Sequence, residues 1–480
     1  MKVVLLNPPP RKVAEKKDVP QYQHVGLGYL TSALEGEGYD VKVMDAKLDR
    51  LSKKDVLEEI SAYSPDILGV TAMTHEIVMG AEVAKEYKDI DPNVKTVLGG
   101  VHVTALPEET LKQYPHIDVG MIGEGERTFP KLIRAFERGE KDFSSIPGIV
   151  FRDNNNEIKY TQNEWIHDLD NLPLPNWKYF GNARNYMIIT ARGCPHSCIF
   201  CMQASGKAVR KRSPESVINE IEEVLAERAP EMFLFYDETF TLEKERVHKI
   251  CDMLIERGLD KKIKWSVTTR VDSVDRPLLE KLKRAGCTHV GYGVESGNEI
   301  TLQLLKKRIT KKQVRESMAL AKEMEFYTEA GFILGNPNET LETALETIDF
   351  ACELNPDLVL YGIMVPYPGT EVREMALKGE GGYRLLSEDW TEYNKQLGNA
   401  MELENLSRAD LEKLQLVGYL RLFVANRRYM DFIKFVLNFW REMFGYLGNI
   451  MRKREERGEK RISYFDVIKL VFAKSIVNNK

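Results

Sequence analysis

Three of the six cysteines in this 480-residue chain fall within eight positions, Ala191-Arg-Gly-Cys194-Pro-His-Ser-Cys198-Ile-Phe-Cys201, and that spacing constrains the chain more than any other feature. The apolar run 186–190 leads straight into it and reads as a strand. A C-x3-C-x2-C loop brings three thiolates close enough to hold three corners of an iron-sulfur cubane. Most four-iron clusters take four cysteines, so three leave one iron open. Zinc is the competing metal, but zinc sites usually pair C-x2-C knuckles with a fourth Cys or His, and His196 inside the loop is the only nearby candidate. Cys251, Cys287 and Cys352 are scattered through apolar-periodic segments and read as buried structural thiols. A secreted disulfide framework would space its cysteines differently.

Downstream, helical patterns at 214–226, 244–256, 276–285, 311–324 and 339–352 alternate with apolar strands at 232–236, 263–268, 289–294, 329–334 and 358–365. With the strand before the cysteine loop these make six, which predicts a partial (β/α)6 barrel over residues 181–380. Functional groups of such a fold sit at the carboxyl ends of its strands. Those ends carry Tyr236-Asp237-Glu238-Thr239-Phe240, Thr269-Arg270, Glu295-Ser296-Gly297, Gly335-Asn-Pro-Asn-Glu339 and Pro366-Tyr-Pro-Gly369. Carboxylates in these places also cap the helices that follow, so each has a structural reading beside the functional one.

Residues 1–140 alternate short β-branched runs with helical patterns, at 3–7, 28–38, 39–44, 66–71, 95–99 and 119–123. Strand and helix taking turns predicts a doubly wound parallel sheet, an α/β Rossmann-like domain that binds its ligand at the carboxyl ends of its strands. Those ends read Asn7-Pro-Pro-Pro, Thr71-Ala-Met-Thr74, Gly99-Gly100-Val-His102 and Gly123-Glu124-Gly125-Glu126. Glycine there lets a ligand lie against bare backbone. Residues 141–180 read as a connector, with a turn at 153–156 and two prolines within 171–176.

The cysteine loop, with Phe200 before its last cysteine and with Asp-Glu-Thr-Phe and Glu-Ser-Gly at later strand ends, resembles the radical S-adenosylmethionine (SAM) superfamily. The glycine turns, in their order, resemble the cobalamin-binding domain found in front of many of its members. The resemblance implies a [4Fe-4S] cluster on Cys194, Cys198 and Cys201 whose open iron chelates SAM. It implies that Asp237 or Glu238 meets the SAM amino group, that Glu295, within Glu295-Ser296-Gly, hydrogen-bonds the ribose, and that the 331–335 stretch ending at Gly335 lines the adenine. Arg270 pairs with the SAM carboxylate or steadies a radical intermediate. In the first domain, Gly99, Gly100, Gly123, Glu124 and Gly125 correspond to turns that take the nucleotide tail of cobalamin, and Thr71 to Thr74 lie near the corrin. His102 is either a ligand contact or a hydrogen-bonded structural residue. The chain lacks the Asp-x-His-x-x-Gly sequence that supplies a cobalt ligand in other B12 domains: His24 is followed by Val-Gly-Leu-Gly, which puts Leu27 where the glycine should be. No cobalt ligand is assigned, and a flavodoxin-like domain with another nucleotide or none is the alternative.

As a whole the resemblance implies a cobalamin-dependent radical SAM C-methyltransferase acting on an unactivated carbon. The second reading is a cyclase or oxidoreductase of tetrapyrroles or lipids. A non-enzymatic cobalamin or iron-sulfur sensor would need neither Glu-Ser-Gly nor Asp-Glu-Thr-Phe. An electron donor of flavodoxin or ferredoxin type is implied, and the substrate stays open among a lipid, a tetrapyrrole, a peptide side chain and a small metabolite.

The formal charge of −5 hides an asymmetry: residues 421–480 hold 14 Lys and Arg against 6 Asp and Glu, a net of +8, which leaves −13 for the rest. The helical, basic region 381–480 carries an apolar stripe over 411–430 that continues with aromatics over 431–440, followed by Arg452-Lys-Arg-Glu-Glu-Arg457. Such a segment either closes the open side of the barrel or lies in a membrane interface. Basic residues without a recognisable nucleic-acid fold are thin support for DNA or RNA, so no nucleic acid is expected. No run approaches the roughly 18 apolar residues of a membrane span, and the N-terminus lacks a signal-peptide pattern. The expectation is a cytoplasmic protein whose tail closes the barrel or, in the second reading, contacts a membrane peripherally.

Overall fold

The computed structural model describes residues 1–11, 22–396, 398–434, 437 and 471. The aromatic run at 431–440 is therefore covered only in part, and the charged run at 452–457 lies outside the described residues. Two compact units are present. The first comprises Met1–Pro195, Met202–Ser266 and Arg284–Gly286, the second His196–Cys201, Val267–Lys283 and Cys287–Lys480.

The first unit is built on a seven-stranded sheet of β1 (Lys2–Asn7), β2 (Asp40–Asp45), β3 (Ile67–Thr71), β4 (Lys95–Gly99), β5 (Val119–Met121), β6 (Ile149–Arg152) and β7 (Ile158–Tyr160), in the order β2-β1-β3-β4-β5-β6-β7. β1 to β5 pair in parallel. Val3, Val4, Leu5 and Leu6 are all buried, the continuous apolar run expected of a strand covered on both faces. The strand order reverses between β1 and β3, and that switch point is where a doubly wound sheet opens a crevice for a ligand. The β6–β7 hairpin extends the sheet antiparallel into the stretch that sequence reads as a connector. Its turn stands where expected, with Asp153 Oδ1 accepting from the backbone N–H of Asn155 and Glu157, each at 2.9 Å. Strands of four and three residues are too short to show a period, and their role is to cover the edge of β5.

The expected six strands follow as β8 (Asn185–Ile188), then, beyond the short pair β9 (Ala191–Arg192) and β10 (Arg210–Lys211), β11 (Met232–Phe235), β12 (Trp265–Thr269), β13 (Cys287–Glu295), β14 (Tyr327–Leu334) and β15 (Leu358–Ile363). Their order in the sheet follows the chain from β8 to β15, the topology of a partial (β/α)6 barrel. In the first unit β8 and β11 are parallel, and in the second β13, β14 and β15 are.

Within the second unit the helix Arg408–Ala425 lies along β15. Tyr419 accepts from the backbone N–H of Tyr361 at 3.2 Å, and Gln415 donates to the Tyr361 carbonyl at 2.5 Å. The apolar stripe thus covers an edge strand and satisfies its outward backbone groups. Among the described residues no helix is long and apolar enough to cross a membrane.

Gly100, after β4, has φ +100°, and a Cβ there would stand 2.6 Å from the Ala72 carbonyl oxygen. Gly100→Ala is expected to lower the stability of the full-length protein by roughly 1–3 kcal/mol. A chemical-denaturation midpoint that does not move would contradict the packing of that turn against the end of β3.

Candidate active site

Cys194 closes a backbone segment that the first unit holds at every step. Asp237, just beyond β11, turns inward and accepts from the backbone N–H of Thr190 at 2.6 Å and of Ala191 at 3.0 Å. Arg246 donates to the Thr190 carbonyl at 2.8 Å and to its hydroxyl at 3.1 Å. Gly193 follows with φ +97°, and a Cβ there would collide with the Ala208 carbonyl oxygen. The Cys194 N–H donates to Gly206 at 3.1 Å, and the Cys194 carbonyl accepts from Gln203 Nε2 at 3.1 Å. Burial pushes the Asp237 carboxyl up to about 6 against the hydrogen bonds from Thr190 and Ala191. Its neighbour Glu238, in the turn that follows, is exposed.

Arg192 and Arg210 face each other across the β9–β10 pair. Both reach the turn after β5. Arg210 donates to Glu124 at 2.6 Å, while Arg192 lies 3.2 Å from Glu124 and donates to Glu126 at 2.6 Å. Burial opposes the charged form of Glu124, yet the bond from Arg210 and the charge of Arg192 hold its carboxyl below the usual range. Glu124 is therefore engaged within the protein. Nothing in the sequence points to these partners, because 66 positions separate Glu126 from Arg192 and 86 separate Glu124 from Arg210.

Cys198 and Cys201 belong to the second unit, where Ile199 between them is pinned on both sides: its N–H donates to Leu305 at 3.2 Å and its carbonyl accepts from Val372 at 3.1 Å. Cys194 and Cys198 are half-buried and Cys201 is exposed, whereas Cys251 and Cys287 are buried and burial pushes the half-buried Cys352 thiol up to about 12. Among the described residues no three or more His, Cys, Asp or Glu side chains converge as around a bound ion. What the loop supplies is therefore a donor set read from its sequence, three thiols on one short segment, rather than a preformed cage. It suits a cluster with one open iron.

In the second unit Glu295 has φ +71°, unusual for a residue with a side chain, and accepts from Lys307 Nζ at 2.7 Å. Lys307 was missed by sequence reasoning because Lys306-Lys307-Arg308 reads as a solvated run. Lys306 and Arg308 are exposed with left-handed backbones, φ 54° and 56°, and only Lys307 is buried. Arg270 is buried and bound to Asp272 through Nε at 2.9 Å and Nη2 at 2.8 Å, and to the Lys307 carbonyl at 2.7 Å. Ser296 is fully buried against Thr347 at 3.1 Å, a packing role. At the end of β14, Gly335 has φ +83° and its N–H donates to Glu339 at 2.5 Å. Glu339 also accepts from the Asn336 amide at 2.8 Å, and burial pushes its carboxyl up to about 7.

In the first unit a narrow apolar cavity opens at the β1/β3 switch point. Gly69, Gly99, Gly100, Gly123 and Gly125 line it together with Thr71 and with Leu5, Val97, Met121 and Phe129. At Gly69 a Cβ would stand 3.2 Å from Leu5 and Phe129, and at Gly125 2.9 Å from Leu30 and Met121. Side chains at these two glycines would collide with the residues packed over them. The Asn163 side chain sits over Gly123. Thr74 and His102 are buried beside these turns. His24 caps the first helix, its Nδ1 accepting from Leu27 N–H at 3.3 Å. In the neutral ring that arrangement puts the proton on Nε2, so neither nitrogen offers a lone pair to a metal.

Fold and site together define an enzyme of the radical SAM class with a B12-binding domain ahead of its cluster domain. Residues 17–133 match the model of the B12 binding domain, and residues 188–351 match that of the radical SAM superfamily. An uncharacterized methyltransferase of Pyrococcus horikoshii is 31% identical over 97% of this chain and 99% of its own length. The anaerobic magnesium-protoporphyrin IX monomethyl ester cyclase of Rubrivivax gelatinosus is 31% identical over 85% of this chain and 74% of its own. The radical SAM methyltransferase TsrM of Kitasatospora setae, solved with cobalamin and a [4Fe-4S] cluster, shares the fold with a TM-score of 0.70 at 20% identity, covering 88% of this chain and 90% of that one. The chain belongs to the family of radical SAM enzymes with a B12-binding domain.

Glu339 gives the site a measurable pH signature. Below about pH 4.5 both folded and unfolded chains hold its proton; between there and about 7 only the unfolded chain ionises, so its contribution to stability falls as pH rises. In Glu339→Gln an amide keeps the backbone acceptor and loses this titration. The variant's thermal midpoint should gain on the wild type between pH 5 and 8, by an amount on the order of 3 kcal/mol in stability. A difference independent of pH would contradict a buried carboxyl raised by desolvation.

Proposed function

We propose that this chain is a cobalamin-dependent C-methyltransferase in which Cys194, Cys198 and Cys201 ligate the cluster. The observation that carries the reading is one chain holding both a three-thiol loop at the end of β8 and a glycine-lined cavity at the β1/β3 switch point. When bound, the cluster would cleave SAM to a 5'-deoxyadenosyl radical that takes hydrogen from an unactivated carbon, and cobalamin would supply the methyl group. The chain's own residues bind and orient. Glu238, the exposed carboxylate after β11, would meet the SAM amino group in place of Asp237, which faces the backbone. Glu295, oriented by Lys307, would meet the ribose, and Arg270 the SAM carboxylate. Gly335 would lie along the adenine. Gly99, Gly100, Gly123 and Gly125 would take the nucleotide tail of cobalamin, with Thr71 and Thr74 near the corrin and His102 behind them. These roles divide the chain into a cobalamin domain at 1–140, a connector at 141–180, a radical SAM domain at 181–380 and a basic C-terminal region at 381–480, whose described part is not helical throughout as expected but opens with the antiparallel strand pair Tyr383–Leu385 and Met401–Leu403 before the helix Arg408–Ala425.

An electron donor of flavodoxin or ferredoxin type would reduce the cluster, and the net charge of +8 beyond residue 420 favours peripheral contact with an acidic membrane surface. The cyclase relatives favour a second reading, oxidative ring closure on a tetrapyrrole or lipid. Anaerobic reconstitution with iron, sulfide and hydroxocobalamin, followed by SAM and dithionite, separates the two. Methyl transfer predicts 5'-deoxyadenosine together with S-adenosylhomocysteine; deoxyadenosine alone from a cobalamin-binding protein would move the oxidative reading ahead.

Replacing all three loop cysteines by Ala should abolish iron-sulfur absorption and SAM cleavage together, and cleavage that survives would sink the assignment. Glu295→Gln should weaken SAM binding about tenfold or more with iron content unchanged. Loss of iron as well would make Glu295 a folding residue.

A further inference from the structure

We infer that Glu124, Glu126, Arg192 and Arg210 are positioning residues that couple the glycine-lined cavity to the loop carrying the first cluster thiol. The inference rests on the cofactors proposed above. All four side chains are at most 10% exposed, and together they form two arginines and two carboxylates with no net charge. Gly123 and Gly125, on either side of Glu124, line the cavity. Arg192 stands two residues before Cys194, and Arg210 is its partner in the β9–β10 pair. Each guanidinium is also stacked on an aromatic ring, Arg192 on Tyr29 at 4.9 Å and Arg210 on Trp165 at 5.0 Å.

Two arginines side by side on neighbouring strands repel one another. The pair is stable because Glu124 lies between them and accepts from Arg210 while Arg192 divides its fork between Glu124 and Glu126. Shifting Glu124 by a fraction of an ångström breaks one of these contacts in a buried setting, where an unpaired charge is strongly unfavourable. A group seated against Gly123 and Gly125 fixes the backbone that carries Glu124. It thereby fixes Arg192 and the start of the cluster loop.

Coupling of this kind is reciprocal: if a seated ligand orders the cluster loop, an assembled cluster tightens the ligand by the same factor. The test is the dissociation constant of hydroxocobalamin, followed by absorbance, for full-length protein with the cluster reconstituted and with its iron removed. In the wild type the cluster should tighten binding about tenfold. In Arg192→Lys, which keeps the charge but cannot span both carboxylates, the ratio should fall towards one while hydroxocobalamin still binds. Glu126→Gln, which leaves Glu124 between both arginines, serves if the lysine variant does not hold iron, and should also reduce the ratio. A wild-type ratio of one, or an undiminished ratio in the variants, overturns the coupling while leaving the cofactor assignment intact. Failure of any form to bind hydroxocobalamin overturns both.

Discussion

The position of Cys194 depends on the backbone from Thr190 onward, and buried polar and charged side chains hold that backbone. Asp237 takes the N–H groups of Thr190 and Ala191, and Arg246 takes the Thr190 carbonyl and hydroxyl. Glu124 and Glu126 take Arg192. Any one of these groups, buried alone, would be strongly destabilising. Each is met by hydrogen bonds or by an opposite charge, and the segment has few alternatives to the path it follows.

Buried ion pairs are a poor route to stability, because apolar side chains of similar size often do as well or better. What they fix is geometry, since guanidinium and carboxylate meet in few orientations. The second unit uses the same device around Glu295. Its φ of +71° is an unfavourable backbone for a side chain, worth roughly 1–3 kcal/mol, and Lys307 anchors the carboxylate that this backbone presents. Lys307 is itself delivered inward by two more left-handed residues, Lys306 and Arg308. Strain over so short a stretch is tolerated where a group must stand in one place.

The fold was legible in the sequence because its signals are local. β-branched runs and helical periods placed the five parallel strands of the first sheet and the six of the second within a few residues of their ends. The β6–β7 hairpin escaped because strands of four and three residues carry no period. In the site, the thiol spacing was legible because three ligands on one loop are a local property. Asp237 and Glu238 were not separable, since only the packed strand shows which of two adjacent carboxylates turns inward. Lys307 was hidden by charged neighbours, and Glu124 read as part of a glycine turn because its arginines come from far along the chain.

That separation of adjacent carboxylates bears on the proposed SAM site. Asp237 cannot face a ligand without releasing Thr190 and Ala191 and with them the strand leading to Cys194. Glu238 has no such duty, and its exposure leaves its carboxylate for an amino group. The same division holds at Glu295-Ser296, where Ser296 is buried against Thr347 and Glu295 is held by Lys307 at the strand end. At both strand ends one residue of a neighbouring pair secures the backbone so that the other can be presented. A single substitution at the securing residue would therefore misplace a contact it never makes.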